Sequence, residues 1–357
     1  MLPLETLFSI QSKNTAMFPR ASGDYFSQYT GLLQHLRQEI YTKIDAGLAA
    51  NSAQKGYYTA HDAEHFNEVV RYAGTLLGVT PGMEVSKMSE WKLLNPYELY
   101  VLLVAIRIHD VGNINGREDH EKSCFTFLRN LGALCGTDQA EKKIIGSIAQ
   151  AHGGFTGSGE KDTIGSLELS YLIGCVTIRP RLLAGIVRLA DELSENRARA
   201  NNYALEHNAN LPAHSKMYHV YANAISAAHY NVEDKKFYIK YMIEYKNVIK
   251  SRECDSPSLP GNCIIKEMLK RLEKMDRERR YCNQYMRDVC RVDGIRAKIE
   301  IVDEDLDAIQ EIAIPEMHDN TGYPDSKTPD LKSMLDKIHG EQFIEELHKK
   351  LMEMERS

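Results

Sequence analysis

The segment PYELYVLLVAIRIHDVGN, residues 96–113, is strongly apolar and ends in a histidine, an aspartate, a glycine and an asparagine. Pro96 suits the first turn of a helix, and the residues after it are apolar on almost every side except at Arg107. The pattern therefore predicts a central helix surrounded by others. His109 and Asp110 at its end are either a capped helix end with one core histidine or a pair of metal ligands, and the segment alone leaves both interpretations open.

The composition is that of an ordinary globular protein. The chain has 357 residues, of which 43% are hydrophobic, and no run of apolar residues is long enough to span a membrane. The N-terminus lacks a basic segment followed by an apolar core, so we expect no secretory signal and a cytoplasmic protein. The seven cysteines include no CxxC pair and are interpreted as reduced thiols.

The charge of the chain bears on its partners. A formal net charge of −6 argues against strong binding of duplex nucleic acid through a positive field. It is compatible with a small anionic ligand that a few local cations hold. We expect no membrane partner.

Hydrophobic periodicity predicts helices through about residue 200. The pattern changes after about residue 213, where two β-branched and aromatic runs flank a polar turn, as in a hairpin. A charged helix at 262–290 and an alternating strand at 294–303 complete a small β-β-α-β subdomain. The predicted helices before it are an amphipathic helix from Phe26 to Leu48 and segments 62–79, 96–108, 119–134, 138–152, 163–176 and 180–200.

The predicted fold class is mainly α, a helical bundle with a small C-terminal α+β subdomain. A Pro- and Asp-rich connector after residue 304 is predicted to lead to a last helix at about 330–355. The predicted segments are an N-terminal helical segment packing on the core (1–58), the main helical domain (59–212), the α+β subdomain (213–303) and the connector with the C-terminal helix (304–357).

Candidate metal ligands lie near predicted helix ends and faces. His61 and His65 are four residues apart and would share one face of a helix. Each candidate has an ordinary structural interpretation: solvent-facing histidines near a helix start, a surface pair of Asp191 with Arg188, or histidines that cap a helix. The ordered set is more specific than any member, and it consists of His65, His109, Asp110, His120, His152 and Asp191.

Three motifs together resemble those of the HD-domain metal-dependent phosphohydrolases. They are HFNEV at 65–69, IRIHDVGN at 106–113 and RLADEL at 188–193. The residues of other segments are similar to those of the bacterial HD-CE branch, which is associated with conflict and defence systems. These segments are TAHDAEH at 59–65, EDHEKS at 118–123, AHGG at 151–154, and a β-rich tail.

The resemblance implies an HD helical bundle over 59–212 and a divalent metal held by His65, His109, Asp110 and Asp191. Asp110 would bridge to a second ion, for which His120 and His152 occupy the matching positions. Imidazole and carboxylate ligands suit Mn, Fe, Co, Ni or Zn, with Mg also considered, and the sequence does not choose among them.

Further residues are assigned to catalysis and to substrate. Asp110 is expected to act in catalysis, Asp62 to orient a ligand histidine or take a proton, and His61 to contact the phosphate or the leaving group. Four cations are candidates for phosphate binding, although Lys and Arg are mostly exposed whatever the function. They are Arg117, Lys122, Arg188 and Arg197.

The expected function is hydrolysis of a nucleotide by metal-activated water, as a phosphodiesterase or a nucleotide phosphatase, in a bacterial defence or nucleotide-signalling setting. One alternative is a di-iron oxygenase similar to inositol oxygenase. Another is a metal-binding regulator in which the C-terminal subdomain mediates assembly. The expected partner is a small phosphorylated molecule, and a homodimer is considered.

Overall fold

The computed structural model of the chain describes residues 1–44, 63–116, 119–132, 138–197, 200, 213–253, 264–286, 288–319 and 341–354. The chain divides into two compact units. The first unit contains Met1–Gln54, His61–Ser194 and Tyr281–Arg291, and the second contains Lys55–Ala60, Glu195–Arg280 and Val292–Ser357. Among the described residues, no helix combines the length and the apolar character that crossing a membrane requires.

The first unit is mainly helical and holds one short hairpin. Its helices are α1 (Pro3–Gln11), α2 (Tyr25–His35), α3 (Ala63–Leu76), α4 (Val85–Glu90), α5 (Pro96–Ile108), α6 (Cys124–Asn130), α7 (Gln139–Gln150) and α8 (Pro180–Leu193), and its strands are β1 (Tyr171–Ile173) and β2 (Val176–Ile178). A π-helical stretch, Leu36–Ile40, continues α2. Short 3-10 turns cover Thr15–Met17, Val111–Asn115 and His120–Ser123.

Helix α5 is the centre of this unit, as its all-round apolar pattern predicts. A capping box starts the helix: the side chain of Asn95 accepts from the Glu98 N–H at 2.8 Å, and the Glu98 carboxylate accepts from the Asn95 N–H at 3.0 Å. Every residue from Tyr97 to Ile108 is buried. The end of α5, where His109 and Asp110 follow, is therefore fixed by packing on all sides.

The predicted helix over 163–176 is wrong. Residues 171–178 form an antiparallel hairpin in which Tyr171 pairs with Ile178 and Ile173 with Val176. Gly174 has a φ of 57°, which glycine adopts without steric cost and which ends a right-handed helix. The β-branched residues around it alternate between buried and exposed, so the strand period prevails over the helical one.

The second unit is built on a five-stranded sheet in the order β3-β4-β5-β6, with β7 paired to β5. The β4–β5 pair is parallel and the other pairs are antiparallel. Buried apolar residues alternate along β4, from Phe237 to Ile243. The elements are α9 (Ala213–Ala224), β3 (Ile225–Asn231), β4 (Lys236–Glu244), α10 (Tyr245–Glu253), α11 (Ile264–Met286), β5 (Gly294–Val302), β6 (Ala308–Ala313), β7 (Met317–His318) and α12 (Glu341–Met354). The end of α11, from Tyr281 onward, belongs to the first unit.

The predicted fold class, a helical bundle with an α+β part, is confirmed, but the sheet is larger than predicted. The segment after residue 304 was expected to be a connector, and it contains β6 and β7. Ile312 pairs with Ile299 of β5, so a short segment of six residues becomes a strand through its partner. The local sequence of β6 does not indicate that this segment pairs with β5.

Candidate metal centre

Three helices of the first unit bring together a first group of donor atoms. His65 lies on α3, His109 directly after α5, and Asp191 in the last turn of α8. The Asp191 Oδ1 lies 3.3 Å from the His65 Nε2 and 3.5 Å from the His109 Nε2. The three donor atoms lie within 4.8 Å of one another, so a single ion can contact all of them.

A second group of donors lies beside the first. The Asp110 Oδ1 is 2.9 Å from the His120 Nε2 and 3.5 Å from the His152 Nε2. His120 belongs to a 3-10 turn, and His152 follows the end of α7. These three donors also lie within 4.8 Å of one another.

The carboxylate of Asp110 joins the two groups. Its Oδ2 lies 3.8 Å from the Nε2 atoms of both His65 and His109, whereas its Oδ1 faces His120 and His152. One oxygen therefore serves each group. A carboxylate shared in this way is the arrangement that a bridged pair of metal ions requires.

The backbone explains how the adjacent residues His109 and Asp110 serve one centre. His109 keeps helical angles, with φ −55° and ψ −37°, whereas Asp110 leaves the helix with φ −107° and ψ 11°. Gly112 follows, and a Cβ at this position would lie 1.9 Å from the carbonyl oxygen of His120. Glycine is therefore needed here so that the turn carrying His120 can pass directly against the end of α5.

Backbone carbonyls orient two of the histidines. The His109 Nδ1 lies 2.8 Å from the Ile106 carbonyl oxygen, and the His152 Nδ1 lies 2.6 Å from the Ala149 carbonyl oxygen. Because a carbonyl only accepts, each Nδ1 donates its hydrogen, and the Nε2 of each ring is left to face the centre. The buried His109 Nε2 has no hydrogen-bond partner among the described residues.

Side chains orient the other two histidines. The His65 Nδ1 lies 3.4 Å from the hydroxyl of Ser194, which itself donates to the Asp191 carbonyl at 2.7 Å. The His120 Nδ1 lies 3.4 Å from the Glu121 carboxylate, which is buried. Sequence reasoning missed Ser194 and Glu121. Their only local signal is that each lies close in sequence to a ligand candidate.

The electrostatics of the centre favour a cation. Burial lowers the pKa of His109, but the charges of Asp110 and Asp191 outweigh it and raise that pKa to about 9. Burial raises the pKa of Asp191, but contacts with His109 and His65 hold it well below its ordinary value. A carboxylate that stays ionised beside imidazoles whose Nε2 atoms face it thus fits a divalent metal ion in both charge and donor type.

The remaining predicted site residues are placed as follows. His61, Asp62 and Arg117 lie outside the described residues. Lys122 is exposed on the His120 turn, and its Nζ lies 2.7 Å from the Asp119 carboxylate. Arg188 is buried on α8, where it donates to the Thr163 hydroxyl at 2.9 Å.

The guanidinium of Arg188 also lies over the ring of Tyr281, at 4.7 Å from its centroid. Arg197 belongs to the second unit and donates to the Asn223 side chain at 2.9 Å. The structure therefore brings together all six predicted metal ligands in the first unit. The assignments of the cations to substrate stay predictions.

A double group of histidines and carboxylates, most of them buried, on a helical bundle is typical of the class of HD-type metal-dependent hydrolases. The family model described as HD-CE matches residues 56–278, and the chain belongs to the HD-CE family. The match confirms the resemblance that the sequence motifs carry. A search of the curated proteins finds no match to this chain.

Proposed function

We propose that this chain hydrolyses a phosphate ester or anhydride of a nucleotide, as a phosphodiesterase or a nucleotide phosphatase that depends on two divalent ions. The observation that carries the proposal is the position of Asp110, whose two carboxylate oxygens each face a separate group of histidine donors. A pair of bridged ions suits displacement at phosphorus because both the attacking and the leaving oxygen can be stabilised.

In this proposal His65, His109 and Asp191 hold one ion, His120 and His152 hold the other, and Asp110 contacts both. A bound divalent ion lowers the pKa of its water from about 15.7 toward 7 and so supplies hydroxide at neutral pH. The protein's own contribution is orientation. Burial of His65 and His109 excludes bulk water from one side of the centre, and the carbonyls and side chains at each Nδ1 fix the rings.

Substrate contacts are proposed for residues that lie close in sequence to the candidate metal ligands. Lys122 is exposed and lies two residues after His120. Its ammonium group can therefore leave the Asp119 carboxylate and bind a phosphate oxygen instead. Arg188 lies three residues before Asp191 on α8, so the two share a face of that helix. His61 stays a proposal for contact with the phosphate or the leaving group, and Asp62 for orienting a ligand histidine or taking a proton. Arg117 and Arg197 stay proposals for phosphate binding.

The nucleotide substrate and a role in bacterial defence or nucleotide signalling rest on the resemblance to the HD-CE branch. The acidic chain, with a formal net charge of −6, supports a small phosphorylated ligand over duplex nucleic acid. We also propose that the chain forms a homodimer.

The same donors also support a second candidate, a di-iron oxygenase. Four imidazoles and two carboxylates suit iron as well as they suit manganese or zinc. The two candidates differ in what the protein consumes. Oxygen uptake that depends on iron, without release of phosphate or of a nucleotide product, supports the oxygenase.

The test begins with metal analysis of the purified chain. A panel of nucleotides, cyclic nucleotides and dinucleotides is then assayed with each metal that the analysis finds. His109→Ala and Asp110→Ala are expected to lose both bound metal and hydrolysis, whereas His229→Ala, at an exposed histidine of the sheet, keeps both. Retention of metal and activity by both site variants overturns the assignment of the site. A metal-loaded protein that hydrolyses no member of the panel overturns the nucleotide proposal.

A further inference from the structure

Arg107 is the one basic residue in the buried stretch of α5, and it is fully buried. Its Nη2 donates to the Glu5 carboxylate at 2.7 Å, and its Nε donates to the Tyr29 hydroxyl at 3.2 Å. The Tyr29 hydroxyl donates in turn to the same Glu5 oxygen at 2.6 Å. Two N-terminal helices, α1 and α2, therefore supply the partners of a cation in the core.

The same guanidinium joins the two helices that carry the first two histidines. The Arg107 Nη1 donates to the Asn67 Oδ1 at 2.8 Å. Asn67 lies two residues after His65 on α3, and Arg107 lies two residues before His109 on α5. The planar guanidinium of Arg107, whose donor directions are fixed, thus links α5 to α3, the two helices that position His109 and His65.

A second line of contacts runs from the N-terminal segment to His109. The Tyr41 hydroxyl donates to the Arg107 carbonyl at 3.0 Å. The Tyr41 ring stacks on Phe66 with centroids 4.3 Å apart, and Phe66 meets the edge of the His109 ring with centroids 5.3 Å apart. Phe66 is the direct neighbour of His65 in the chain. The first line therefore ends at Asn67, two residues after His65, and the second ends at the ring of His109.

The partners in these two lines come from outside the family match. Glu5, Tyr29 and Tyr41 precede residue 56, where the HD-CE match begins, whereas Arg107 and Asn67 lie inside it. We infer that Glu5, Tyr29 and Tyr41 are positioning residues of the metal centre, which fix His65 relative to His109 through Arg107 and Phe66. This inference rests on the proposed metal dependence of the site.

The physical reason is the tolerance of a metal site. Ligands must stay within about 0.5 Å of their productive positions, and this needs support from residues whose own rotamers are locked. A hydrogen bond between buried groups supplies such a lock because either partner, if released, is left without water. Loss of the Tyr29 hydroxyl therefore frees the guanidinium to shift and, with it, the spacing of α3 and α5.

Helix α2 offers a matched control one turn away. The Tyr25 hydroxyl donates to the buried Glu141 carboxylate at 2.6 Å, just as the Tyr29 hydroxyl donates to buried Glu5. Glu141 lies at the start of α7, and His152 follows the opposite end of that helix. Tyr25→Phe and Tyr29→Phe thus remove the same group from equally buried carboxylates, but only Tyr29 contacts Arg107.

The experiment titrates the full chain with Co²⁺ and records its visible absorption, which reports the geometry of the bound ion. Tyr29→Phe is expected to weaken Co²⁺ binding about tenfold and to shift the absorption bands, as for residues that orient ligands. Tyr25→Phe is expected to keep the wild-type affinity and bands. Tyr41→Phe is a second variant that keeps the ring against Phe66, and its bands are expected to move in the direction seen for Tyr29→Phe.

The outcomes separate this inference from the proposed function. Wild-type affinity and bands in both Tyr29→Phe and Tyr41→Phe overturn the inference and leave the metal centre intact. Equal weakening in Tyr25→Phe and Tyr29→Phe also overturns it, because a general loss of stability then explains the effect. A wild-type chain that binds no Co²⁺ overturns the metal centre and the inference with it.

Discussion

Gly112 lies so close to His120 that a Cβ at position 112 would approach the His120 carbonyl oxygen to 1.9 Å. The neighbouring residue Asp119 has a φ of 53°, so the turn before His120 is itself conformationally restricted. The contact holds the Nε2 of His120 at 2.9 Å from Asp110. The absence of a side chain at Gly112 thus determines where His120 lies in the second group of donors.

Gly112→Ala is predicted to displace His120 and to empty the second group while the first still binds. Backbone cannot give way as a flexible side chain does, so the turn as a whole must move. Metal analysis after dialysis is expected to find one ion per chain in place of two. Gly153→Ala is the control, because a Cβ at Gly153 meets nothing within 4 Å. Two ions in Gly112→Ala contradict the prediction.

Asp110→Asn is predicted to impair both groups, whereas Asp191→Asn impairs only the first. The reason is that Asp110 contributes an oxygen to each group, whereas the Asp191 carboxylate, among the described residues, belongs to the group of His65 and His109. Metal content measured for the two variants should fall to near zero for Asp110→Asn and to about one ion for Asp191→Asn. The same metal content in both variants would show that Asp110 does not bridge.

Glu121→Ala is predicted to lower the metal affinity of the second group by about 10- to 100-fold, the usual cost of losing a carboxylate that orients a ligand histidine. Glu121 is buried beside the Nδ1 of His120 and belongs to neither of the donor groups that the described residues form. Competition between the protein and a chromophoric chelator measures the change. Glu168→Ala removes an exposed carboxylate of the same unit and serves as the reference. An unchanged affinity in Glu121→Ala speaks against this role.

The buried pair of Glu5 and Arg107 predicts a dependence of stability on pH. Burial raises the pKa of Glu5, but the charge of Arg107 and the hydrogen bond from Tyr29 outweigh it and leave that pKa below its ordinary value of 4.5. A carboxyl whose pKa is lower in the folded state stabilises the fold above pH 4.5, and this stabilisation is lost as the pH falls through the folded-state pKa.

Glu5→Gln is therefore predicted to lower the free energy of unfolding by about 3 kcal/mol at neutral pH, since it leaves a buried cation without its counter-charge. Urea unfolding of wild type and variant at a series of pH values measures the difference. The difference should shrink as the pH falls below 4.5, where wild-type Glu5 takes up a proton. A difference that stays constant down to acid pH rules out the charge of Glu5 as its source.

The central helix and its ligand pair were predictable because they are local. A stretch from Tyr97 to Ile108 that is apolar on nearly all sides fits only a buried helix, and its position fixes where His109 and Asp110 must lie. The other ligands came from the ordered motifs and not from periodicity. Each of those segments alone is compatible with an ordinary surface or cap.

What sequence reasoning missed depends on distant contacts. Arg107 looked like an exception in an apolar pattern, and its main partner, Glu5, lies 102 positions earlier in the chain. A glutamate beside a histidine and a lysine is typical of a solvated surface, so the local pattern does not indicate that Glu121 is buried. Strands β1 and β6 were missed because they are short and take their structure from a paired neighbour.

The burial of Arg107 has a practical consequence for any fragment of this protein. A piece cut at residue 56, where sequence similarity to the family starts, would keep the arginine and discard Glu5, Tyr29 and Tyr41. The fragment would then carry an arginine without its counter-charge on a face of α5 that α1 and α2 no longer cover, and apolar neighbours on that face would be exposed to water. The compact first unit, which includes Met1–Gln54, thus extends beyond the stretch that the family model matches.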